Sequence, residues 1–366
     1  MFMLDQKTVI VIPVIITTMI NKPKVAVFSD LHLGVHGNST QWHDIAMNWC
    51  RWFVEDIKRN NIKDIIFCGD WYHNRSEISV DTLTVSAEIF DMLKDFNLTV
   101  ITGNHDLYFK HRTDVHSLNI VKGRKNVNVI DKPTAIECFD KTISFLPWGF
   151  GVDTLPDSDI CFGHLEIESF KMNSAKTCED GIKASSLLRK FNLVVSGHFH
   201  TRHERTFEAG TILYVGNPFE MDFGDSGNQK GYYILDIDTS EYNFIPNNIS
   251  PRYKRVLLSD MVNDATILPT TVQEFTNNFV RLKVDRNISQ DDLTVLYSVL
   301  NKLQPHSITY DYDMNHNKLL TDNSTYDFSG IDIRSAIEEF VNLLDIENKD
   351  SIIQYTLNLY NKCKTV

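Results

Sequence analysis

The sequence predicts an α/β fold built on a largely parallel sheet, because strand-like and helix-like segments alternate in the first third of the chain. Short apolar runs of the kind that forms buried strands occupy residues 24–29, 64–68 and 98–102. Apolar residues at helical spacing fill the intervals, at residues 41–60 and 80–94. Such an alternation is typical of a parallel sheet flanked by helices.

Each of these three runs ends in a polar motif. The motifs are Asp30-Leu31-His32, Gly69-Asp70 and Gly103-Asn104-His105-Asp106. Ligands of open α/β sheets bind beyond the carboxyl ends of the strands. We therefore expect these side chains to meet in one site at that edge of the sheet.

After about residue 125, shorter strand-like runs replace the helical spacing, which predicts a second sheet facing the first. These runs are residues 127–130, 135–139, 142–146, 160–162, 193–196, 211–215 and 231–236. Two of them lead into histidine motifs, Gly163-His164 and Gly197-His198-Phe199-His200. We expect these histidines to close the site from the second sheet.

A cluster of turn residues that begins at Pro246 and ends at Pro251 predicts the end of the main domain. Beyond it, a strand, a helix and a strand predict a small β-α-β unit, and apolar spacing in the tail predicts two amphipathic helices. The predicted domains are 1–23 as an N-terminal extension, 24–246 as the main α/β domain, 252–325 as a small capping domain and 330–366 as a helical tail.

The composition limits where the protein works and what it binds. The apolar stretch from Thr8 to Ile20 is too short for a transmembrane helix and lacks the basic leader of a signal peptide. We therefore expect no membrane association and a functional start near Met19. Six scattered cysteines without CxxC spacing indicate a reducing, cytoplasmic compartment. The formal net charge of −12 excludes a protein that coats nucleic acid through overall positive charge.

The motifs supply carboxylate oxygen, amide oxygen and imidazole nitrogen, and no thiolate. This mixture favours two hard-to-borderline divalent ions such as Mn²⁺, with Mg²⁺ as a possible substitute, over a structural zinc. We expect one ion at Asp30, His32, Asp70 and His200, and the other at Asp70, Asn104, His164 and His198. Such a pair can supply hydroxide that attacks a phosphate ester. His105 is placed to protonate the leaving group, with Asp106 orienting its ring.

At these residues the sequence resembles the calcineurin-like metallophosphoesterase superfamily, whose fold is a four-layer α/β/β/α sandwich. Within it, the chain resembles the SbcD-type DNA repair nucleases, a group that includes the recombination nuclease subunits of T-even-type phages. Two further features carry the narrower resemblance. His73 follows the bridging aspartate by three residues, where that group has a second active-site histidine, and residues 214–224 resemble its loop after the Gly-His-x-His motif.

The resemblance implies a manganese-dependent nuclease that acts on DNA in repair, recombination and replication, as an exonuclease or endonuclease. It further implies a homodimer, and an SbcC-type coiled-coil ATPase with a P-loop that binds the C-terminal helices. Two alternatives remain open at this point. One is a phosphodiesterase or phosphatase of the same fold that acts on small substrates, and the other is a catalytically silent scaffold for the ATPase.

Several residues near the motifs have simpler interpretations. Trp148 and Phe150 are expected in the core rather than as platforms for bases. Lys110, His111 and Arg112 are equally compatible with a solvated loop and with a contact to the DNA backbone. The remaining histidines with no required role are expected at the surface: His36, His43, His116 and His203.

Overall fold

The structure, a computed structural model, describes residues 20–110, 112–172, 176–263, 266–267, 269–286, 288, 290–312, 341 and 348–363. Most of the expected N-terminal extension lies outside these residues, and so does the first of the two expected tail helices. The chain divides into two compact units, and the C-terminal helix belongs to the second of them.

The first sheet contains the three predicted strand–motif units. Its strands are β1 Lys24–Phe28, β2 Asp64–Phe67, β3 Asn97–Ile101, β4 Val127–Ile130, β11 Gly231–Asp236 and β12 Tyr242–Pro246. Their order is β12-β11-β1-β2-β3-β4. Strands β1 to β4 are parallel, whereas β11 pairs antiparallel with β1. The largely parallel sheet predicted from the sequence is therefore confirmed, with an antiparallel pair added at one edge.

The second sheet is mixed. Its strands are β5 Thr134–Cys138, β6 Lys141–Leu146, β7 Ser158–His164, β8 Phe191–Gly197, β9 His203–Phe207 and β10 Gly210–Tyr214. Their order is β5-β6-β7-β8-β10-β9, and the four inner strands are parallel. The carboxyl ends of β7 and β8 carry the histidine motifs, as the sequence predicts.

The main helices cover the outer faces of the two sheets. They are α2 Thr40–Arg59 and α3 Val80–Met92 on the first sheet and α4 Ala184–Leu188 on the second, and the short α1 Val35–Asn38 precedes α2. Helix α2 buries Trp49, Phe53 and Ile57 against the first sheet, a four-residue spacing that keeps one face inward. Helix α3 is capped by Ser79, whose side chain accepts a hydrogen bond of 3.1 Å from the Thr82 backbone N–H.

The main core lies between the sheets, and the residues of β1 contribute to the apolar clusters on both faces of its sheet. Alternate residues of a strand point to opposite faces. Ala26 and Phe28 accordingly pack with helix α2, whereas Val25 and Val27 pack with residues of the second sheet. Both faces of β1 are buried, which explains why its sequence is a continuous apolar run. The four-layer α/β/β/α sandwich expected from the resemblance is confirmed.

A smaller sheet follows the sandwich. Its elements are β13 Tyr253–Leu257, α5 Leu258–Met261, β14 Val262–Asn263, β15 Thr266–Ile267, α6 Pro269–Phe275, β16 Phe279–Val284, α7 Gln290–Asn301 and β17 Ser307–Tyr312. Strands β13, β16 and β17 form the sheet, which has its own apolar cluster. Tyr253 and Phe279 stack on Trp42 of α2, with 5.2 Å between the Trp42 and Phe279 rings, so the small sheet is fixed to the sandwich.

The second compact unit contains α8, Lys349–Cys363. Ile353 and Leu357 form a small apolar cluster with Val341. Among the residues that the structure describes, no helix has the length and apolarity needed to cross a membrane.

Phe53→Ala should lower the free energy of unfolding by about 3–5 kcal/mol, because it leaves a cavity in the aromatic core. The Phe53 ring lies 5.0 Å from the Phe28 ring and 4.8 Å from the Tyr232 ring. Urea unfolding followed by circular dichroism measures the change. As a control, Val80→Ala removes a side chain that is 80% exposed and should change stability by less than about 0.5 kcal/mol. Similar losses in the two variants would contradict this packing.

Candidate metal centre

The carboxyl ends of five parallel strands meet at one edge of the sandwich. Strands β1, β2 and β3 deliver Asp30 with His32, Asp70, and Asn104, while β7 and β8 deliver the three histidines of the second sheet. All seven predicted ligands lie in this place. Two clusters of ligand atoms result, with the atoms of each cluster within 4.8 Å of one another.

The first cluster consists of Asp30, His32 and His200. The Nε2 atoms of His32 and His200 lie 3.0 Å apart, and His32 Nε2 lies 3.8 Å from an Asp30 oxygen. These atoms converge on one point, the arrangement that a shared cation stabilises. Burial lowers the pKa of His32 well below its usual value, which keeps the ring in the neutral form that binds metal.

The second cluster consists of Asp70, His164 and His198, with Asn104 between the two rings. The Asn104 Oδ1 atom lies 2.9 Å from His164 Nε2 and 3.0 Å from His198 Nδ1. His164 Nδ1 donates to the Cys68 carbonyl oxygen at 2.7 Å, the outer contact that usually fixes a metal-binding histidine. The donors therefore fit a divalent cation, with Nε2 of His164 turned towards it.

One carboxylate oxygen connects the clusters. Asp70 Oδ2 lies 3.6 Å from His32 Nε2 of the first cluster and 3.3 Å from His164 Nε2 of the second. Burial alone would raise the pKa of Asp70, but the charge and hydrogen bond of His164 and the charge of His32 lower it far below its usual range. An ionised aspartate thus stands where a bridging ligand would be needed.

Four of the ligands adopt left-handed backbone conformations. Asp30, His32, Asp70 and His198 have φ values of 54°, 47°, 64° and 92°. Each such conformation costs on the order of 1 kcal/mol or more for a residue with a side chain, and such residues concentrate at active sites. The turns at the strand ends are therefore held by the surrounding structure and aim the side chains at the cations.

Burial and neighbouring charges also act on the remaining ligands. Burial, reinforced by the charge of His164, lowers the pKa of His198 to about 3. Burial opposes protonation of His164, but the charge and hydrogen bond of Asp70 raise its pKa to about 9. Within one cluster, the Asp70 carboxylate thus counteracts at His164 the effect of burial that dominates at His198.

His73 and His105 lie beside the first cluster. Ring nitrogens of His32, His73 and His105 are within 4.8 Å of one another. The His105 ring lies 4.8 Å from the His32 ring, and its Nδ1 donates to the His73 carbonyl oxygen at 2.5 Å. Both histidines are only partly buried, unlike His32.

Asp106 has a different role from the expected one. It was expected to orient the His105 ring, but its buried carboxylate accepts backbone N–H groups of Gly103 at 2.9 Å, Asp70 at 3.0 Å and Trp71 at 3.1 Å. Burial and the charge of Asp70 raise the pKa of Asp106 to about 7 although these donors act against the shift. The sequence suggested a ring contact because Asp106 adjoins His105, but the side chain instead holds two ligand turns together.

Trp148 belongs to the site, although the sequence placed it in the core. It follows the carboxyl end of β6, and its ring lies 4.7 Å from the His198 ring and 6.0 Å from the His164 ring. The sequence signal that could have assigned Trp148 to the site is its position directly after a strand of the second sheet. The prediction of a surface position is also wrong for two histidines, His43 and His116, which are buried. His43 bonds to Asp81 from the inward face of α2.

An α/β/β/α sandwich whose strand ends hold two carboxylate–imidazole clusters with a shared aspartate defines a metal-dependent phosphoesterase. The chain belongs to the calcineurin-like phosphoesterase superfamily, whose domain model matches residues 24–240.

The chain is also similar to two individual proteins. "Exonuclease subunit 1" of Enterobacteria phage T4 is 28% identical over 358 aligned residues, which cover 92% of this chain and 98% of the relative. A solved structure described as a novel archaeal phosphodiesterase is 17% identical, covers 61% of this chain and 99% of its own, and has a TM-score of 0.36. At that TM-score the second similarity supports no conclusion about this chain.

Asp70→Ala should remove both cations together, because one Asp70 oxygen faces both clusters. Metal analysis after loading with Mn²⁺ and gel filtration measures the bound ions. As a matched control, Asp91→Ala removes an exposed carboxylate that pairs with Arg124 and should leave the metal content unchanged. Two ions retained by the Asp70 variant would contradict the bridging assignment.

Gly103→Ala should also impair metal binding, because a Cβ there would lie 2.2 Å from the Asp70 carboxylate and 2.5 Å from the Asp70 amide nitrogen. Contacts this short displace the bridging side chain. Gly123→Ala is the control, since nothing lies within 4 Å of its added Cβ. Isothermal titration with Mn²⁺ compares the two variants, and equal affinities would show that the close approach is unimportant.

Proposed function

We propose that this chain is the manganese-dependent nuclease subunit of a DNA repair and recombination complex, and that it hydrolyses phosphodiester bonds at its two-cation site. The observation that carries the proposal is the similarity to the phage exonuclease subunit, which spans 92% of this chain and 98% of the relative. A chain that shares only the phosphoesterase domain would match that relative over a smaller part of its length.

The site supports this chemistry. Two bound divalent ions lower the pKa of water and neutralise the charge that develops on the phosphate. Asp30, His32 and His200 would hold one ion, and Asn104, His164 and His198 the other, with Asp70 between them. The ligands are oxygen and nitrogen donors, which suit Mn²⁺, and we propose Mg²⁺ as a possible substitute.

His105 and His73 supply the groups that contact the substrate. The bond from His105 Nδ1 to the His73 carbonyl fixes the ring at the edge of the first cluster. We assign to His105 the proton that the leaving 3′ oxygen takes up, and to His73 a contact with the phosphate that is cleaved. Asp106 acts through the backbone, by holding the turns that carry Asp70 and Asn104.

The surroundings of the site support DNA as the substrate. Tyr108 and Phe109 follow the Asn104 turn with exposed rings, and the Arg112 guanidinium lies 4.6 Å from the Phe109 ring centre. Aromatic rings and guanidinium groups of this kind contact the bases and backbone of nucleic acid. Arg112 also pairs with Asp114 at 2.6 Å, so its charge is partly compensated.

The C-terminal helix supports the proposal of an SbcC-type ATPase partner. Tyr355 and Ile352 of α8 are 68% and 38% exposed, so one face of the helix carries apolar side chains towards solvent. An apolar helix face of this kind is typical of a partner-binding helix. The proposal includes a homodimer of this chain, which sedimentation of the purified protein tests.

His105→Ala should reduce DNA cleavage by about 10²–10⁴-fold while binding of metal and DNA is retained, because the histidine supplies a proton rather than a ligand. Single-turnover cleavage of a labelled linear duplex measures the rate, and fluorescence anisotropy measures DNA binding. His203→Ala, a change at a partly buried histidine next to Phe170, is the control and should cleave normally. A His105 variant that cleaves at the full rate would contradict the assignment.

The proposal itself is tested by a manganese-dependent exonuclease assay on linear DNA with and without the ATPase. Cleavage that requires Mn²⁺ supports the nuclease. Hydrolysis of bis-p-nitrophenyl phosphate without cleavage of DNA under either condition would instead identify a phosphodiesterase for small substrates. Stimulation of ATP hydrolysis by a metal-loaded protein that cleaves neither substrate would identify a scaffold.

A further inference from the structure

A buried lysine lies behind one of the metal ligands. Lys230 directly precedes β11, and its side chain is only 4% exposed. Its ammonium group donates to the His200 carbonyl oxygen at 2.7 Å and to Asp225 Oδ1 at 2.8 Å. Removing two charges from water costs several kcal/mol per ion. Apolar side chains would fill this space at a lower cost in free energy, so we expect the buried Lys230 ammonium group to have a specific role.

Asp225 ties the lysine to the loop that follows β10. Its second oxygen, Oδ2, accepts the Asn217 side-chain amide at 2.8 Å and the Met221 amide at 2.9 Å. The backbone N–H of Asn217 also donates to the His200 carbonyl oxygen, at 3.3 Å. The His200 carbonyl therefore receives two donors from one loop, and the buried ion pair holds that loop in shape.

We propose that Lys230, held by Asp225, is a positioning residue for the first metal cluster and sets the affinity of that cluster alone. By fixing the carbonyl of His200, Lys230 fixes the direction in which the His200 ring leaves the backbone. That ring meets His32 at 3.0 Å. This inference rests on the two-cation assignment made above.

The second cluster has no such link to the lysine among the described contacts. His164 is fixed through the Cys68 carbonyl, and the Asn104 side-chain oxygen lies between the His164 and His198 rings. Loss of the lysine should therefore separate the two cation sites, whereas a general loss of structure would weaken both. Changes around a metal ligand of this kind typically reduce affinity by about 10–100-fold.

The test is a Mn²⁺ titration of the full-length, chelator-treated protein, followed by calorimetry and by electron paramagnetic resonance. Lys230→Met leaves Asp225 buried without a counter-charge and so endangers the fold. The double variant Lys230→Met with Asp225→Asn removes both charges at once and keeps the fold testable. We expect one tight site to remain, the other to weaken by at least about tenfold, and the signal of a coupled Mn²⁺ pair to disappear.

Two further variants make the result specific. Lys141→Met removes a partly exposed lysine paired with Asp159 at 3.4 Å, at the far end of β6, and should keep two tight sites. His164→Ala should keep only the first site, and its combination with the double variant should keep no tight site. This pattern identifies the weakened site as the one that contains His200.

Each other outcome has a definite meaning. Two unchanged sites in the folded double variant, or equal weakening of both, would overturn the positioning role. Fewer than two tight sites in the unaltered protein would instead overturn the two-cation assignment on which the inference rests. Cleavage of DNA by the unaltered protein, measured in parallel, tests the proposed nuclease independently of the lysine.

Discussion

The position of the Asp70 carboxylate is the constraint on which the rest of the site depends. One of its oxygens has to face both His32, which follows a strand of the first sheet, and His164, which ends a strand of the second. The carboxyl ends of both sheets must therefore approach within a few ångströms of each other. Gly103 and Gly197 make this approach possible, because a Cβ on Gly197 would lie 2.0 Å from the Ser29 hydroxyl and 2.4 Å from the Cys68 carbonyl oxygen. The sandwich core between the sheets, the strained turns and Asp106 all serve to maintain this short distance.

The sequence predicted which polar side chains would lie together because the information about them is local. A strand end and a polar residue directly after it are visible in a few letters, and the geometry of parallel sheets places all such ends together. The contributions of Asp106 and Lys230 could not be read in this way. Asp106 binds backbone groups up to 36 residues away, and Lys230 contacts a carbonyl 30 residues away. Contacts of this kind depend on how loops fold over one another, for which the sequence offers no periodic signal.

A similar argument explains which strands escaped prediction. Strands β9, β12 and β13 each lie at the edge of a sheet, and their residues alternate between partly buried and exposed. Edge strands are often short and carry polar residues, which discourages pairing with other chains. They therefore lack the apolar runs that revealed β1, β2 and β8. The two charged residues in the middle of β13, Lys254 and Arg255, likewise explain why the small sheet was predicted with two strands and contains a third.

The charge of the protein connects its fold to its proposed substrate. A net charge of −12 repels a polyanion over most of the surface. Asp30, Asp70 and Asp106 are buried at the one place where a phosphate would bind, and the described residues around them include histidines but neither lysine nor arginine within the clusters. Without cations this site adds to the repulsion, and with two divalent ions its sign is reversed. Binding of a phosphodiester is therefore coupled to metal occupancy, and residues that control the occupancy of one cluster also control access to the substrate.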